Sequence, residues 1–185
     1  LKTCYAFFNE PYMTYWSMPV TVVGISEIKS VGSPGVLTLD YNKEFEFVGM
    51  GVSDGDLAYW VTDEAKVDLD CSSDSPFRTN LDGFVNSDGK ATFYSSDLNY
   101  AGQTFQLCYK FGQESPKLYP EFTLSLKTLG SFIATGGSNT TSVAGTKKQF
   151  KLIGGQVSPG DRAKWVEGVI DDAGCVGAFA GGILN

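Results

Sequence analysis

The sequence contains no histidine, few cysteines and little positive charge. Without histidine, neither a Ser–His nor a Cys–His nucleophile can be built. Fourteen basic residues against 21 acidic ones give a net charge of −7, which argues against binding a phosphate backbone. No apolar run approaches the roughly 18–20 residues that cross a bilayer. We therefore predict that the protein is not an enzyme, binds no nucleic acid and has no membrane span.

Glycine and aromatic residues are abundant instead, at 22 residues and 14% of the chain. This composition favours short strands joined by tight turns. The segment LAYWVT shows the two-residue period of a strand, with Tyr59 on one face and Ala58 with Trp60 on the other. Turn sequences such as SDGD and NSDGK separate such segments. The pattern predicts an all-β fold of Ig-like antiparallel β-sandwich modules.

An internal repeat of about 105 residues is the strongest signal in the sequence. Residues 45–61 recur at 150–166, and Cys71 recurs as Cys175. Nine of the seventeen positions are identical, and in the first copy they are Phe45, Gly49, Val52, Ser53, Gly55, Asp56, Ala58, Trp60 and Val61. We refer to this motif as the front half of a module and predict that Trp60 and Trp165 are core residues of the two copies.

A second motif, the back half, recurs with nearly the same period. Cys4-Tyr5 precedes Cys108-Tyr109 by 104 positions, and the stretch 19–23 falls opposite 121–126. Further equivalent pairs are Phe7 with Phe111, Glu10 with Glu114, and Tyr15 with Tyr119. The four apolar residues Tyr5, Phe7, Val20 and Val22 are predicted to pack as part of this half.

The order of the halves predicts an unusual domain organisation. Residues 29–129 hold a complete module, whereas residues 1–28 hold only a back half and 149–185 only a front half. Residues 130–148 form a linker that carries the glycosylation sequon at Asn139. We expect each flanking half to be completed by a neighbouring chain, because a half sandwich exposes a sheet edge and an apolar face.

The four cysteines fit no zinc pattern, since there is no CxxC pair and no histidine. Disulfides are therefore expected, together with an extracellular location. Cys71 and Cys108 are predicted to bond within the module, and by the repeat Cys175 would bond Cys4. Within one chain, that second bond would bring the two ends together around the module. Between chains, it would link each subunit to its neighbour.

Three stretches, VSDGDLAYWV, AGQTFQLCYKFGQESPKLYPEFTLSL and GDRAKWV, resemble a tandem Ig-like repeat of extracellular proteins from algae and oomycetes. That repeat occurs in surface and mastigoneme-like polypeptides. The chain is also similar to subunits of glycan-coated fibrils from natural waters. The resemblance implies an extracellular, glycosylated structural protein.

These patterns favour a structural subunit of an extracellular filament that polymerises head-to-tail with copies of itself. An alternative is a secreted module that binds carbohydrate or calcium, with Asp-rich stretches such as 63–74 as candidate calcium ligands. A third possibility is one period of a longer tandem polyprotein. No cofactor is expected in the favoured case, apart from covalent glycans.

Overall fold

The protein is mostly β with almost no helix. The computed structural model describes residues 2–5, 11, 13–138, 141–144 and 146–163. The chain divides into two compact units, Leu1–Leu126 (unit 1) and Lys127–Asn185 (unit 2). The described residues form twelve strands: β1 Lys2–Tyr5, β2 Met13–Pro19, β3 Gly24–Ser30, β4 Val36–Thr38, β5 Lys43–Met50, β6 Leu57–Thr62, β7 Arg78–Phe84, β8 Lys90–Phe93, β9 Thr104–Lys110, β10 Lys117–Lys127, β11 Ser131–Ala134 and β12 Phe150–Ile153. Two short 3₁₀ helices span Asp68–Cys71 and Leu98–Tyr100.

Two sheets of unit 1 enclose its main core. One has three strands in the order β3-β5-β8, and the other has five in the order β4-β10-β9-β6-β7. Alternate side chains of both sheets point between them and form one buried cluster. Phe45 and Phe93 of the first sheet meet Trp60 of the second at ring-centroid distances of 6.2 and 6.1 Å. Trp60 is fully buried, as its prediction as a core residue requires.

Strand β6 is buried on both faces. Ala58 and Trp60 face the main core, whereas Tyr59 and Val61 join a second buried cluster that also contains Cys71 and Cys108. The predicted assignment of Tyr59 to one face of the strand, and of Ala58 with Trp60 to the other, is confirmed. Because Cys108 lies between two main-core residues of β9, the strand alternation places its sulfur in the second cluster.

The N-terminal hairpin, formed by β1 and β2, repeats the pairing of β9 and β10. Tyr5 lies opposite Met13 as Tyr109 lies opposite Lys117, 104 positions later. The remaining equivalent pairs are Cys4–Thr14 with Cys108–Leu118, Thr3–Tyr15 with Leu107–Tyr119, and Lys2–Pro19 with Gln106–Thr123. Both ladders also shift register at the equivalent step, between the last two of these pairs. The back half is therefore duplicated in backbone pairing as well as in sequence.

The C-terminal hairpin, formed by β11 and β12 in unit 2, repeats the pairing of β3 and β5 in unit 1. The equivalent pairs are Glu27–Val48 with Ser131–Ile153, Ile28–Phe47 with Phe132–Leu152, Lys29–Glu46 with Ile133–Lys151, and Ser30–Phe45 with Ala134–Phe150. A Cβ atom at Gly49 would overlap the carbonyl group of Gly24, and one at Gly154 would overlap that of Thr128. The close crossing of the two strands explains why glycine stands at this position in both copies.

The hairpins redefine where a module begins. The predicted boundary after residue 28 falls inside β3, and the predicted linker 130–148 contains β11. Both strands belong to front halves because they pair with β5 and β12. Judged by the pairing of the strands, one repeat runs from Gly24 to Lys127, and the next begins at Thr128. We call residues 24–126, which lie wholly in unit 1, the middle module.

Candidate functional site

The carboxylate of Asp56 joins the front and back halves of the middle module. It lies in the turn before β6, where Gly55 takes a positive φ of 83°. The Ser53 backbone N–H donates to Asp56 Oδ2 at 2.9 Å, and the Ser53 hydroxyl to Oδ1 at 3.2 Å. From the back half, the Tyr109 hydroxyl donates to Oδ2 at 2.9 Å and the Gly112 N–H to Oδ1 at 2.8 Å. Four donors thus satisfy a buried carboxylate, which would be costly to bury without partners.

Tyr109 acts as a fixed hydrogen-bond donor in this arrangement. Its side chain is buried in the main core, with its ring centroid 5.4 Å from that of Phe47. Burial, and then the hydrogen bond to Asp56, raise the pKa of Tyr109 far above its ordinary value of 10.0. The hydroxyl therefore stays protonated and available to the carboxylate.

The disulfide between Cys71 and Cys108 is the second link between the halves, as the sequence predicted. The two Cα atoms are 5.7 Å apart, and both residues are fully buried. The Tyr59 hydroxyl donates to the carbonyl of Cys71 on the same side of the sheet. The bond ties the 3₁₀ helix Asp68–Cys71 to β9 on the face away from the main core.

Unit 2 contains a second copy of the Asp turn in a different setting. The Ser158 N–H donates to Asp161 Oδ2 at 2.9 Å, and Gly160 has a φ of 95°. The Lys127 ammonium group lies 3.0 Å from Asp161 Oδ1 and donates to the Ser158 hydroxyl at 2.9 Å. The Ser158 backbone bond, and then Lys127, lower the pKa of Asp161 below its ordinary value of 3.8. This carboxylate is 37% exposed, whereas Asp56 is buried.

Exposure of apolar side chains separates the N-terminal segment from its counterpart in the middle module. Leu124 and Leu126 are fully buried, but the residues 104 positions earlier, Val20 and Val22, are 52% and 51% exposed. Val20 and Val22 lie between β2 and β3 and outside both strands. Their predicted packing as donated residues stays a prediction.

The same contrast holds for the front halves. Ile25 is buried at the start of β3, whereas its equivalent Leu129 is 55% exposed. Phe45 is fully buried and Phe150 half-buried, although their strands pair in the same way. Positions that build the core of the middle module are therefore more exposed at the compared residues of both flanking segments.

Several residues singled out from the sequence lie outside the described residues: Phe7, Asn139, Trp165 and Cys175. Tyr5 lies in β1, where Cys4 is exposed. Ser138, which precedes the sequon, and Thr141, its third residue, are exposed. The Cys4–Cys175 bond and the glycan at Asn139 stay predictions.

The sequence did not reveal the bond between Asp56 and Tyr109. The recurrence of Asp56 as Asp161 was visible, but a turn before β6 accounts for it equally well. The additional signal was the separate recurrence of Tyr109 as Tyr5. The two signals are joined only by the fold, which brings residues 53 positions apart into contact.

Among the residues that the structure describes, no group of three or more His, Cys, Asp or Glu side chains is arranged to hold a metal ion. Within the same part of the chain, no helix has the length and apolar character needed to span a bilayer. Comparison with protein-family models, curated proteins and solved structures found no match.

Proposed function

We propose that the chain is a structural subunit of an extracellular, glycosylated filament, built from Ig-like modules and polymerising head-to-tail. In this proposal the N-terminal hairpin of one copy completes the front half carried by the C-terminal hairpin of the next. One observation carries the proposal: equivalent apolar positions are buried in the middle module and exposed in both flanking segments. Each flanking segment also carries the half that the other needs.

The apolar surface favours association but does not decide it alone. Val20 and Val22 on the donor side and Leu129 and Val157 on the acceptor side are each about half exposed. Completing their burial gains about 1 kcal/mol each, since burying a whole large side chain gains about 1.5–3 kcal/mol. Association costs about 4–15 kcal/mol in lost freedom. Backbone pairing of the donated strands and a covalent link are therefore part of the proposal.

The points at which the chain enters and leaves the middle module are compatible with joining between copies. The first strand of this module begins beside Tyr119, whose hydroxyl accepts a hydrogen bond from the Ile25 N–H at 3.4 Å. Its last residue, Leu126, lies seven residues further along β10, beyond the register shift between Tyr119 and Thr123. The chain thus enters the module near Tyr119 and leaves it further along β10. Such head-to-tail joining generates a filament unless the rotation closes a ring.

The chemistry of the flanking segments suits an extracellular polymer. Cys4 is exposed on β1, and we propose that it bonds Cys175 of the neighbouring copy, as Cys108 bonds Cys71 within the middle module. The sequon at Asn139 follows an exposed stretch that includes Gly136 and Gly137. We propose that a glycan at this site keeps filaments from associating laterally.

Electron microscopy of the full chain before and after reduction tests the proposal. We expect filaments with an axial repeat of roughly 60–80 Å, from two modules of about 30–40 Å each. Reduction should fragment them, as should Cys4→Ser, whereas the exposed substitution Ser142→Ala is the matched control. A chain that lacks residues 1–23 should stay monomeric. Filaments formed by that shortened chain would refute strand donation.

A further inference from the structure

We propose that Asp161 is the acceptor that recognises an incoming copy of the chain, and that its partner is the Tyr5 hydroxyl of that copy. The inference rests on the proposed function, which supplies the second copy. It adds the polar contact that sets the register of docking. The apolar surfaces described above would bring the halves together but would specify their alignment less strictly.

The acceptor is formed before any partner arrives. The turn Ser158–Asp161 has the same backbone bond as Ser53–Asp56, from the Asp N–H to the Ser carbonyl, at 3.1 and 3.2 Å. The bond from the Ser N–H to Oδ2 of the Asp is 2.9 Å in both copies. Two of the four donors of Asp56 therefore belong to the turn itself, and the other two come from the back half.

The back-half donors have identified equivalents at the start of the chain. Tyr109 donates its hydroxyl and Gly112 its backbone N–H to Asp56. The residues 104 positions earlier are Tyr5 and Phe8. Tyr5 holds the same place in the β1–β2 ladder that Tyr109 holds in the β9–β10 ladder, opposite Met13 and Lys117 respectively. The N-terminal hairpin thus presents a tyrosine at the strand position from which Tyr109 reaches its aspartate.

Lys127 keeps the acceptor charged and oriented in the separate unit. Its ammonium group contacts both oxygens of Asp161, at 3.0 and 3.3 Å, and so offsets the charge of a carboxylate that docking would bury. The pairing of the hairpins makes Lys127 the equivalent of Val23, which packs beside Gly51 in unit 1. The lysine is therefore specific to the exposed copy of the turn, where a cation is useful before docking.

A double-mutant cycle on the full chain tests this contact. The critical concentration for polymerisation is measured by sedimentation for the unsubstituted chain, Tyr5→Phe, Asp161→Asn and the double variant. We expect each single substitution to raise it about 10- to 100-fold, the range for a hydrogen bond to a charged group. The critical concentration of the double variant should not exceed that of the more impaired single variant, since both substitutions remove the same interaction. Tyr41→Phe and Asp54→Asn, two exposed sites in unit 1, serve as matched controls and should leave it unchanged.

The outcomes separate this inference from the proposed function. If the chain without residues 1–23 stays monomeric but Tyr5→Phe assembles normally, strand donation stands and the Tyr5–Asp161 contact is refuted. Independent, additive effects of the two substitutions would refute it as well. Tyr5→Phe does not alter the Ser158–Asp161 turn. A rise in critical concentration in that variant therefore cannot be explained by misfolding of the turn. Coupling between the two residues in the unfolding of a monomeric chain would place the contact within one chain and overturn the second-copy assignment.

Discussion

The hairpins β3–β5 and β11–β12 have the same pairing but different surroundings. Both cross closely at a glycine, and both lead to an aspartate turn with a Ser N–H bonded to Oδ2. In the first, however, Phe45 and Asp56 are buried, whereas Phe150 is half-buried and Asp161 more exposed. The comparison shows the same hairpin and turn in two settings that differ in burial, and only in the first do back-half residues, Tyr109 and Gly112, contact the aspartate.

The two back halves differ in hydrophobicity at equivalent positions. Leu107 and Leu118 of the middle module correspond to Thr3 and Thr14 of the N-terminal hairpin. Leu124 and Leu126 correspond to the smaller valines at 20 and 22. The flanking copy is thus less apolar at positions where the middle module is buried. Under the proposed function, this lower hydrophobicity would suit a segment that is exposed before assembly, because large exposed apolar patches promote non-specific association.

The largest difference between the copies is expected for paired phenylalanine substitutions. Phe45→Ala should lower the free energy of unfolding of unit 1 by about 3–5 kcal/mol, because it leaves a cavity in a closed core. Phe150→Ala should lower the free energy of unfolding of unit 2 by less than about half of that amount, since the Phe150 ring is already partly exposed to water. Urea unfolding below the concentration of assembly measures both. Equal losses would mean that the two hairpins are equally covered in the single chain.

Removal of the cysteines should give the next largest effect. Cys71→Ala with Cys108→Ala opens a bond that closes 37 residues, which should lower the stability of unit 1 by about 3–4 kcal/mol. Cys4→Ser should leave the unfolding of the monomeric chain nearly unchanged, because Cys4 lies in β1, whose strand partner is β2. Thermal unfolding under non-reducing conditions compares the two variants. A comparable loss for Cys4→Ser would show that β1 belongs to the core of the same chain.

The smallest effect concerns the protonation of Asp161. Its pKa is lowered in the folded chain, so its contribution to stability is present above pH 3.8 and is lost as the pH falls through the lower folded pKa. The Ser158 amide resonance in NMR should report a midpoint below 3.8. Lys127→Met should raise that midpoint without restoring the ordinary value, because the Ser158 backbone bond is the larger cause. A midpoint at or above 3.8 in the unsubstituted chain would contradict this electrostatic picture.

Much of the β organisation could be predicted from the sequence, because residues identical in both copies of the repeat mark positions where backbone geometry or core packing restricts the residue type. Gly49 is needed for the strand crossing, Trp60 fills the core, and Cys71 bonds Cys108. The role of β3 and β11 could not be predicted, since these strands share no identical residue at equivalent positions. Their pairing is made by backbone groups, which tolerate many side chains. The contact of Asp56 with Tyr109 was hidden because it joins distant segments.

Strand β10 has a mechanical consequence. It is eleven residues long, pairs with both β9 and β4, and continues at Lys127 into the segment that precedes β11. A pull beyond Lys127 that is directed along the axis of this strand loads its hydrogen bonds in shear. The load is then shared by hydrogen bonds on both edges of the strand, which must break together, whereas a pull from the side would open them one after another.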